Sequence, residues 1–252
     1  MTDQDRSGQL LAADSFRVRG IGARAEVRGW SLHAERFART AADCLRDTTE
    51  RAWLAESLPG FLAQARADIA AFGEGFPRLE LWRGSDDTVR LHLAVRPLPV
   101  LSDHLSVRSA HGFSLTDPRR KGPNIERLMA LNRDLGAEAL LLDAHGNIRE
   151  GATTSILWWD GDTLCQIADE ERVSSVTERL LLDIAHRSGH PVASRRLSLT
   201  RLAHCETWAV NALHGIRPIT QADSEPMPDP DSPRLSAFRA ALDATWEPLH
   251  PE

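Results

Sequence analysis

The spacing of hydrophobic residues in the first half of the chain alternates between strand-like and helical. Phe37, Ala41, Cys44 and Leu45 recur at helical spacing, and the runs RLELWR and TVRLHLAV alternate around the turn GSDD, which indicates a β-hairpin. The pattern predicts, in order, a short lead-in over the first dozen residues, strands at 14–20 and 25–29, helices at 33–48 and 53–72, the hairpin, and a strand at 105–109.

The second half mixes strands and helices in the same way. The turns AHGN and DGD separate β-rich runs. The pattern predicts helices at 124–135, 176–188 and 236–244, strands at 192–197, ETWAVN and GIRPI, an exposed loop at 221–234, and a loose tail, WEPLHPE. Strand pairs joined by short turns favour an α+β fold with antiparallel or mixed sheets over a doubly wound parallel sheet.

The segment 116–123 separates these two patterned halves. It contains two prolines and a glycine, which interrupt regular structure. A domain boundary is therefore predicted here, with a smaller α+β domain at 1–116 and a second domain at 117–252.

Charge and cysteine content narrow the possible functions. The net charge of −6 and the pI near 5.9 provide no general attraction to nucleic acid or to an anionic membrane. The three cysteines are scattered, which is typical of a reduced protein, and neither a signal peptide nor a transmembrane run is recognisable. These features predict a cytoplasmic protein with no nucleic acid or membrane as a partner.

Lys121 is the only lysine in a chain whose Lys and Arg residues total 30. Arginine serves wherever a positive charge is enough, but it cannot lose its proton and attack a carbonyl. Lysine can do so, and it then forms a Schiff base. Because an unperturbed lysine is almost fully charged at neutral pH, it needs burial or nearby cations to lower its pKa. The adjacent Arg119 and Arg120 are candidates for those cations.

A Schiff-base lysine most often serves pyridoxal phosphate, which makes further demands on the chain. The pyridine nitrogen needs a carboxylate, for which Glu150 at a strand end is the candidate. The phosphate needs donors, which a helix start at Val176 and Thr177 and the guanidinium of Arg36 would supply.

Four ordered motifs resemble the fold-type IV pyridoxal-phosphate enzymes, which include the class IV aminotransferases and aminodeoxychorismate lyase. They are Lys121, then DAHGNIREGATTSI, then VTERLLL, then WAVNALHGIRPI, and the similarity runs roughly from Phe16 to Thr220. The resemblance implies a two-domain α+β fold like that of D-amino-acid aminotransferase, with a small N-terminal α/β sandwich and a larger C-terminal mixed-sheet domain. It also implies a homodimer.

The resemblance assigns roles to individual residues. Lys121 matches the Schiff-base lysine that also moves the substrate proton, and Glu150 matches the partner of the pyridine nitrogen. Matches to the remaining cofactor positions are Arg36 in its H-x-x-R pattern with His33, Val176, Thr177, Asn211 and Ala212, and those to the substrate positions are Leu213 and His214.

Some positions depart from the family pattern. Ser175 and Glu178 replace a glycine and an arginine around the phosphate helix, and an acidic residue near a phosphate is unfavourable unless it points away. Ser155 stands in place of a common asparagine, Ile125 in place of a tyrosine or arginine, and the first hairpin of the family is not recognisable.

Three functions remain open from the sequence. The first is transamination of a small amino acid through Lys121. The second is elimination of pyruvate from an aminochorismate-like substrate to give p-aminobenzoate. The N-A-L motif resembles the lyase more than the branched-chain enzymes, and the K-G-P-N motif resembles both the lyase and the D-amino-acid enzymes. The third is a degenerate member of the family without turnover.

Overall fold

A computed structural model describes residues 8–21, 24–228 and 232–249 of the 252-residue chain. Up to residue 110 the elements are β1 (Gly8–Ser15), β2 (Val18–Ile21), β3 (Arg24–Arg28), α1 (Trp30–Cys44), α2 (Arg51–Phe72), β4 (Arg78–Gly84), β5 (Val89–Ala94) and β6 (Leu105–Ala110). They are followed by α3 (Ile125–Leu135), β7 (Glu138–Leu142), β8 (Ile148–Gly151), β9 (Ser155–Asp160), β10 (Thr163–Ile167), α4 (Val176–Arg187), β11 (Val192–Arg195), α5 (Leu199–Leu202), β12 (Thr207–Asn211), β13 (Gly215–Ala222), β14 (Glu225–Pro226), α6 (Pro233–Asp243) and β15 (Trp246–Pro248).

The chain divides into two compact units. The first takes Met1–Val100, Arg120–Pro123 and Trp246–Glu252, and the second takes Leu101–Arg119 and Asn124–Thr245. The division after residue 116 expected from the breaker-rich segment stays a prediction. The mixture of helices with antiparallel and mixed sheets confirms the predicted α+β class.

The first unit contains two three-stranded antiparallel sheets, in the orders β1-β4-β5 and β15-β3-β2, together with α1 and α2. The prediction of a lead-in over the first dozen residues is wrong from Gly8 onward, because this segment pairs with β4 as strand β1. The predicted loose tail is also wrong over Trp246–Pro248, which pairs with β3 and places the Trp246 ring against the guanidiniums of Arg19 and Arg28.

Strand β1 holds the segment that carries the single lysine. The Ala13 amide donates to the Lys121 carbonyl oxygen at 2.7 Å. Gly122 adopts a φ of 150°, and a Cβ at this position would lie 2.8 Å from the Ala12 Cα, so only glycine allows the approach. The strand that the hydrophobic pattern did not reveal therefore positions Lys121.

The second unit is built on a mixed sheet in the order β11-β10-β9-β12-β13-β6-β7-β8, with β14 paired to β13. Alternating residues of β9 supply two separate cores. On one face, Leu157 and Trp159 pack in a cluster with residues of α4 and α6. On the other face, Ile156 and Trp158 pack in a second cluster with other strand residues and with Leu202 of α5. Three segments that carry predicted site residues belong to this unit: the end of β8, the start of α4, and the turn between β12 and β13.

No helix in the described residues is long and apolar enough to span a membrane.

Candidate active site

Lys121 lies half-buried in the first unit, where burial and positive neighbours favour its neutral form. Burial and the Arg36 guanidinium lower the pKa of Lys121 to about 8, with smaller contributions from Arg96 and Arg78. The Asp14 carboxylate opposes this shift. A lysine with this pKa has a reactive fraction of neutral amine near neutral pH, as the sequence argument required.

The two arginines that precede Lys121 in the sequence, which were candidates for the cations around it, interact with other residues. Arg119 is well exposed and its guanidinium lies 3.3 Å from the Glu171 carboxylate. Arg120 donates to the Asp43 carbonyl oxygen at 3.3 Å. The cationic environment of Lys121 is thus contributed by Arg36, on α1, and by residues of the β4–β5 hairpin and its exit, all remote in sequence.

Arg36 and His33 share one buried carboxylate. The Asp14 side chain accepts hydrogen bonds from Arg36 Nε at 2.6 Å and Nη2 at 2.8 Å, and His33 Nδ1 lies 2.7 Å from Asp14 Oδ1. Burial alone would raise the pKa of Asp14, but Arg36 and His33 hold it well below its usual range. Burial lowers the pKa of His33, and because the Asp14 carboxylate can only accept, His33 Nδ1 is the donor in this hydrogen bond. Asp14 therefore fixes the Arg36 side chain, and no sequence motif predicts this role.

Glu150 is the penultimate residue of β8 in the second unit and is 8% exposed. Its carboxyl accepts a long hydrogen bond, 3.4 Å, from the Val173 amide. Burial raises the pKa of Glu150 to about 8, against the opposing effect of that amide and of Arg172 and Arg149. A carboxyl group of this kind shares a proton readily with a basic ring nitrogen.

Helix α4 begins at Val176, and both Val176 and Thr177 are 5% exposed. Ser175 is the N-cap and accepts from the Glu178 amide at 3.3 Å, which explains a serine where the family has glycine. The Glu178 carboxylate is held by Arg172 in a bidentate pair at 2.6 and 2.7 Å. The acidic departure from the family pattern is thus offset by a neighbouring cation.

A tight turn joins β12 to β13 and contains the four predicted residues Asn211, Ala212, Leu213 and His214. The Asn211 side-chain oxygen accepts from the amides of Leu213 at 3.1 Å and His214 at 2.8 Å, while its amide nitrogen donates to the Thr153 carbonyl at 3.3 Å. His214 Nδ1 in turn accepts from the Ser102 amide at 3.3 Å. Asn211 therefore shapes the turn and connects it to the loop after β8.

The remaining departures have local structural roles. Ser155 is buried at the start of β9 opposite Val210 of β12, and Ile125 is the first residue of α3.

Each unit brings part of the predicted set together. In the first unit Arg36 lies near Lys121, and in the second Glu150 is close to the segment that leads into α4. The set fits pyridoxal phosphate chemically: a lysine with a lowered pKa for the aldehyde, a buried carboxyl with a raised pKa for the pyridine nitrogen, and an arginine with a helix start for the phosphate.

Two further polar residues were missed in the sequence. Arg217 of β13 is a buried arginine, and Glu138 of β7 is a buried carboxylate that accepts from Thr153, Thr154 and Asn132. Both stand in apolar strand runs, and a charged residue inside such a run is the signal that could have identified them.

Comparisons with known proteins bear on the family and the fold. The model of the family "Amino-transferase class IV" matches residues 12–222. The structure of the T.th. branched-chain amino acid aminotransferase complexed with N-(5'-phosphopyridoxyl)-L-glutamate is 16% identical, with a TM-score of 0.78 over 95% of this chain and 86% of that one. A hypothetical aminotransferase from Mycobacterium tuberculosis, bound to α-ketoglutarate and PMP, is 18% identical, with a TM-score of 0.74 over 94% and 89% of the two chains.

A fold IV transaminase from Curtobacterium pusillum is 22% identical, with a TM-score of 0.71 over 94% of this chain and 84% of that one. No curated protein matches the sequence. At these identities the solved structures establish the fold, which confirms the predicted fold-type IV architecture. Because the family model covers most of the chain, the protein belongs to the class IV aminotransferases, a family of pyridoxal-phosphate-dependent enzymes.

Proposed function

We propose that this protein is a pyridoxal-phosphate-dependent aminotransferase that transfers the amino group of a small amino acid to an oxo acid. The observation that carries the proposal is the environment of Lys121. The chain keeps one lysine, and the fold buries part of it and lowers its pKa to about 8. A lysine needed only for its charge would not require this environment, since arginine provides charge throughout the rest of the chain.

Lys121 has two tasks in this proposal. When bound, pyridoxal phosphate supplies an aldehyde that condenses with amines and a ring that takes up the electrons released at the substrate α-carbon. Lys121 Nζ would hold the cofactor through that aldehyde. The same amine, whose neutral form is favoured by its lowered pKa, would accept the proton from the substrate α-carbon.

The other residues hold and orient the cofactor. The Glu150 carboxyl keeps a proton at the pyridine nitrogen, which strengthens the electron sink. Arg36 and the start of α4 at Val176 and Thr177 bind the phosphate, with Arg36 oriented by the buried Asp14.

The turn between β12 and β13 is proposed to complete the site. Asn211 and Ala212 lie beside the phosphate, and Leu213 and His214 contact the substrate. Two relatives bind a phosphopyridoxyl-glutamate adduct or α-ketoglutarate with PMP, which supports an amino acid and an oxo acid as the substrate pair. We also propose, from family likeness, that the protein is a cytoplasmic homodimer.

A lyase that releases pyruvate and p-aminobenzoate is the second candidate. The N-A-L turn at Asn211–Leu213 favours it, and the K-G-P-N segment at Lys121–Asn124 is compatible with it. It would use the same Lys121 and Glu150. One reason to consider a degenerate member without turnover is removed, because the Arg172 guanidinium pairs with the Glu178 carboxylate.

Product identification tests the proposal. The cofactor-loaded protein is mixed with single amino acids of either hand, and the released cofactor and the products are separated by chromatography. Aminotransfer predicts stoichiometric pyridoxamine phosphate and the matching oxo acid. Pyruvate with an aromatic amine, formed from aminodeoxychorismate, would favour the lyase, whereas protein that never takes up the cofactor would exclude both activities.

A further inference from the structure

The buried carboxylate of Glu138 is held by uncharged groups from two neighbouring segments. Glu138 is the first residue of β7 and is 5% exposed. Its Oε2 accepts from the Asn132 side-chain amide at 2.6 Å, and its Oε1 accepts from the Thr153 amide at 2.6 Å and the Thr154 hydroxyl at 3.0 Å. The Thr153 hydroxyl donates to Oε2 at 2.9 Å. Because a charge away from water is costly unless hydrogen bonds replace its hydration, these donors hold the Glu138 side chain in one orientation.

The loop after β8 is shaped around this carboxylate. The Gly151 amide donates to the Thr154 carbonyl oxygen at 2.8 Å, which closes a tight turn, and the Ala152 amide donates to the Ala139 carbonyl oxygen at 2.9 Å. A Cβ at Gly151 would lie 2.2 Å from Thr154 Oγ1 and 2.9 Å from Glu138 Oε1, so any side chain there would displace these hydrogen-bonding groups. The path of the loop therefore depends on where the carboxylate lies.

Both ends of this loop lead to residues that the proposed function assigns to the cofactor. Glu150 immediately precedes the loop and is paired with Leu141 on β7, the strand that carries Glu138. Near the other end, the Thr153 carbonyl oxygen accepts from the Asn211 side-chain amide at 3.3 Å, and Asn211 shapes the turn between β12 and β13. The Glu138 carboxylate thus binds the loop that connects the Glu150 carboxyl with that turn.

We propose that Glu138 is a positioning residue, which holds the Glu150 carboxyl and the turn at Asn211–His214 in a fixed relation through the loop at 151–154. The inference rests on the proposed function, which gives the pyridine nitrogen to Glu150 and a place beside the phosphate to the turn. A rigid cofactor meets both only if they are held within about 0.5 Å of the productive geometry. A loosened loop would also admit water to the Glu150 carboxyl, which favours its ionised form.

The hydrogen bond between Asn132 and Glu138 allows a matched pair of variants. Glu138→Gln keeps an oxygen for the Thr153 and Thr154 donors, but it places an amide nitrogen opposite the Asn132 amide nitrogen, so that two donors face each other. The Asn132 side chain is not free to turn over, because its oxygen accepts from the Ala139 amide at 2.8 Å. Adding Asn132→Asp to Glu138→Gln again places an acceptor opposite a donor and restores the net charge.

Affinity for pyridoxal phosphate, measured by equilibrium dialysis without substrate, is the first readout. Glu138→Gln should weaken it at least about tenfold, because the cofactor must then order the loop, and the double variant should regain most of the loss. Glu206→Gln is the matched control. The Glu206 carboxylate accepts from Trp208 Nε1 at 3.1 Å and from the Ser232 hydroxyl at 2.5 Å, at the opposite end of β12 from Asn211. This control should lose stability but bind the cofactor as the wild type does.

The Glu150 carboxyl provides a second readout that does not involve the cofactor. Burial raises its pKa to about 8, so the free energy of unfolding of the cofactor-free protein falls as pH rises from 4.5 toward about 8. In Glu138→Gln a hydrated carboxyl should end this fall at least about one pH unit lower. Denaturant unfolding of each protein beside its own Glu150→Gln counterpart isolates this contribution. The other groups that act on the carboxyl, which both counterparts keep, are the Val173 amide, Arg172, Arg149 and Glu178.

These readouts separate positioning from general stability. Unchanged cofactor affinity in Glu138→Gln would overturn the inference, as would a weaker affinity with the Glu150 titration still at the wild-type pH. An equal loss of affinity in Glu206→Gln would also overturn it. If Glu138→Gln does not fold, Thr154→Val, which removes one donor to the carboxylate, gives the same test. A wild type that takes up no pyridoxal phosphate would refute the proposed function, and the Glu150 titration would still decide the role of Glu138.

Discussion

At the scale of single residues, burial shifts the pKa values of Lys121 and Glu150 in opposite directions. Burial lowers the pKa of the amine to about 8 and raises that of the carboxyl to about 8, which places both groups close to neutral pH. Their residue types and positions could be predicted from the sequence motifs. The cations that act on Lys121 could not, because Arg36, Arg78 and Arg96 approach it only through tertiary packing.

The pH dependence of cofactor attachment follows from the Lys121 pKa. Only the neutral amine attacks the aldehyde, so the rate of attachment should rise with pH and level off above about 8, below the 10.5 of an ordinary lysine. Stopped-flow absorbance with buffers from acidic to alkaline pH measures this midpoint. A midpoint that stays near that of free lysine would show that the fold does not activate the amine.

Glu150→Gln should separate stability from activity. In the unfolded chain the carboxyl ionises above 4.5 but in the fold only above about 8, so wild-type stability without cofactor is lost as pH rises between these values. Glu150→Gln has no carboxyl to ionise, so its free energy of unfolding should not show this decrease. In the wild type the decrease is up to ~1.4 kcal/mol per pH unit over that window. Denaturant unfolding at several pH values measures the difference. Turnover should fall roughly 10- to 100-fold, because a hydrogen bond to a charged group is lost.

At the scale of elements, β1 shows where hydrophobic patterning fails. Its central residues, Leu10 to Ala13, do not alternate, and the strand exists because β4 supplies a paired edge, with an irregularity in register between Leu10 and Ala12. The tail strand β15 was missed for the same reason. By contrast, the long helix α2 was predicted through Pro59, and the structure confirms a helix from Arg51 to Phe72.

Gly122→Ala tests whether the approach of β1 to the lysine segment matters. The added Cβ would meet the Ala12 Cα at 2.8 Å, and the φ of 150° disfavours any side chain. We expect a loss of about 1–3 kcal/mol of unfolding free energy and weaker cofactor binding. Gly60→Ala is the control, since a Cβ there meets nothing within 4 Å on helix α2 and should be neutral or stabilising. Equal melting temperatures for the two variants would refute the role given to Gly122.

At the scale of the whole molecule, the order of motifs identified the family, and the family model confirms it over residues 12–222. The motifs predict which residues would hold the cofactor, because its chemistry constrains their types. They do not predict the substrate, and they miss buried charged residues such as Arg217, whose partner Ser102 is known only once the sheet is formed.

The most direct test of the account uses the single lysine. Wild-type protein and Lys121→Arg are incubated with pyridoxal phosphate, reduced with sodium borohydride, and digested for peptide mass mapping, with the N-terminal peptide as the only other site that carries a primary amine. The account predicts one phosphopyridoxyl group on Lys121 in the wild type and none in Lys121→Arg, which keeps the charge but cannot form the bond. Equal labelling of both proteins, or an unlabelled Lys121 in the wild type, would contradict it.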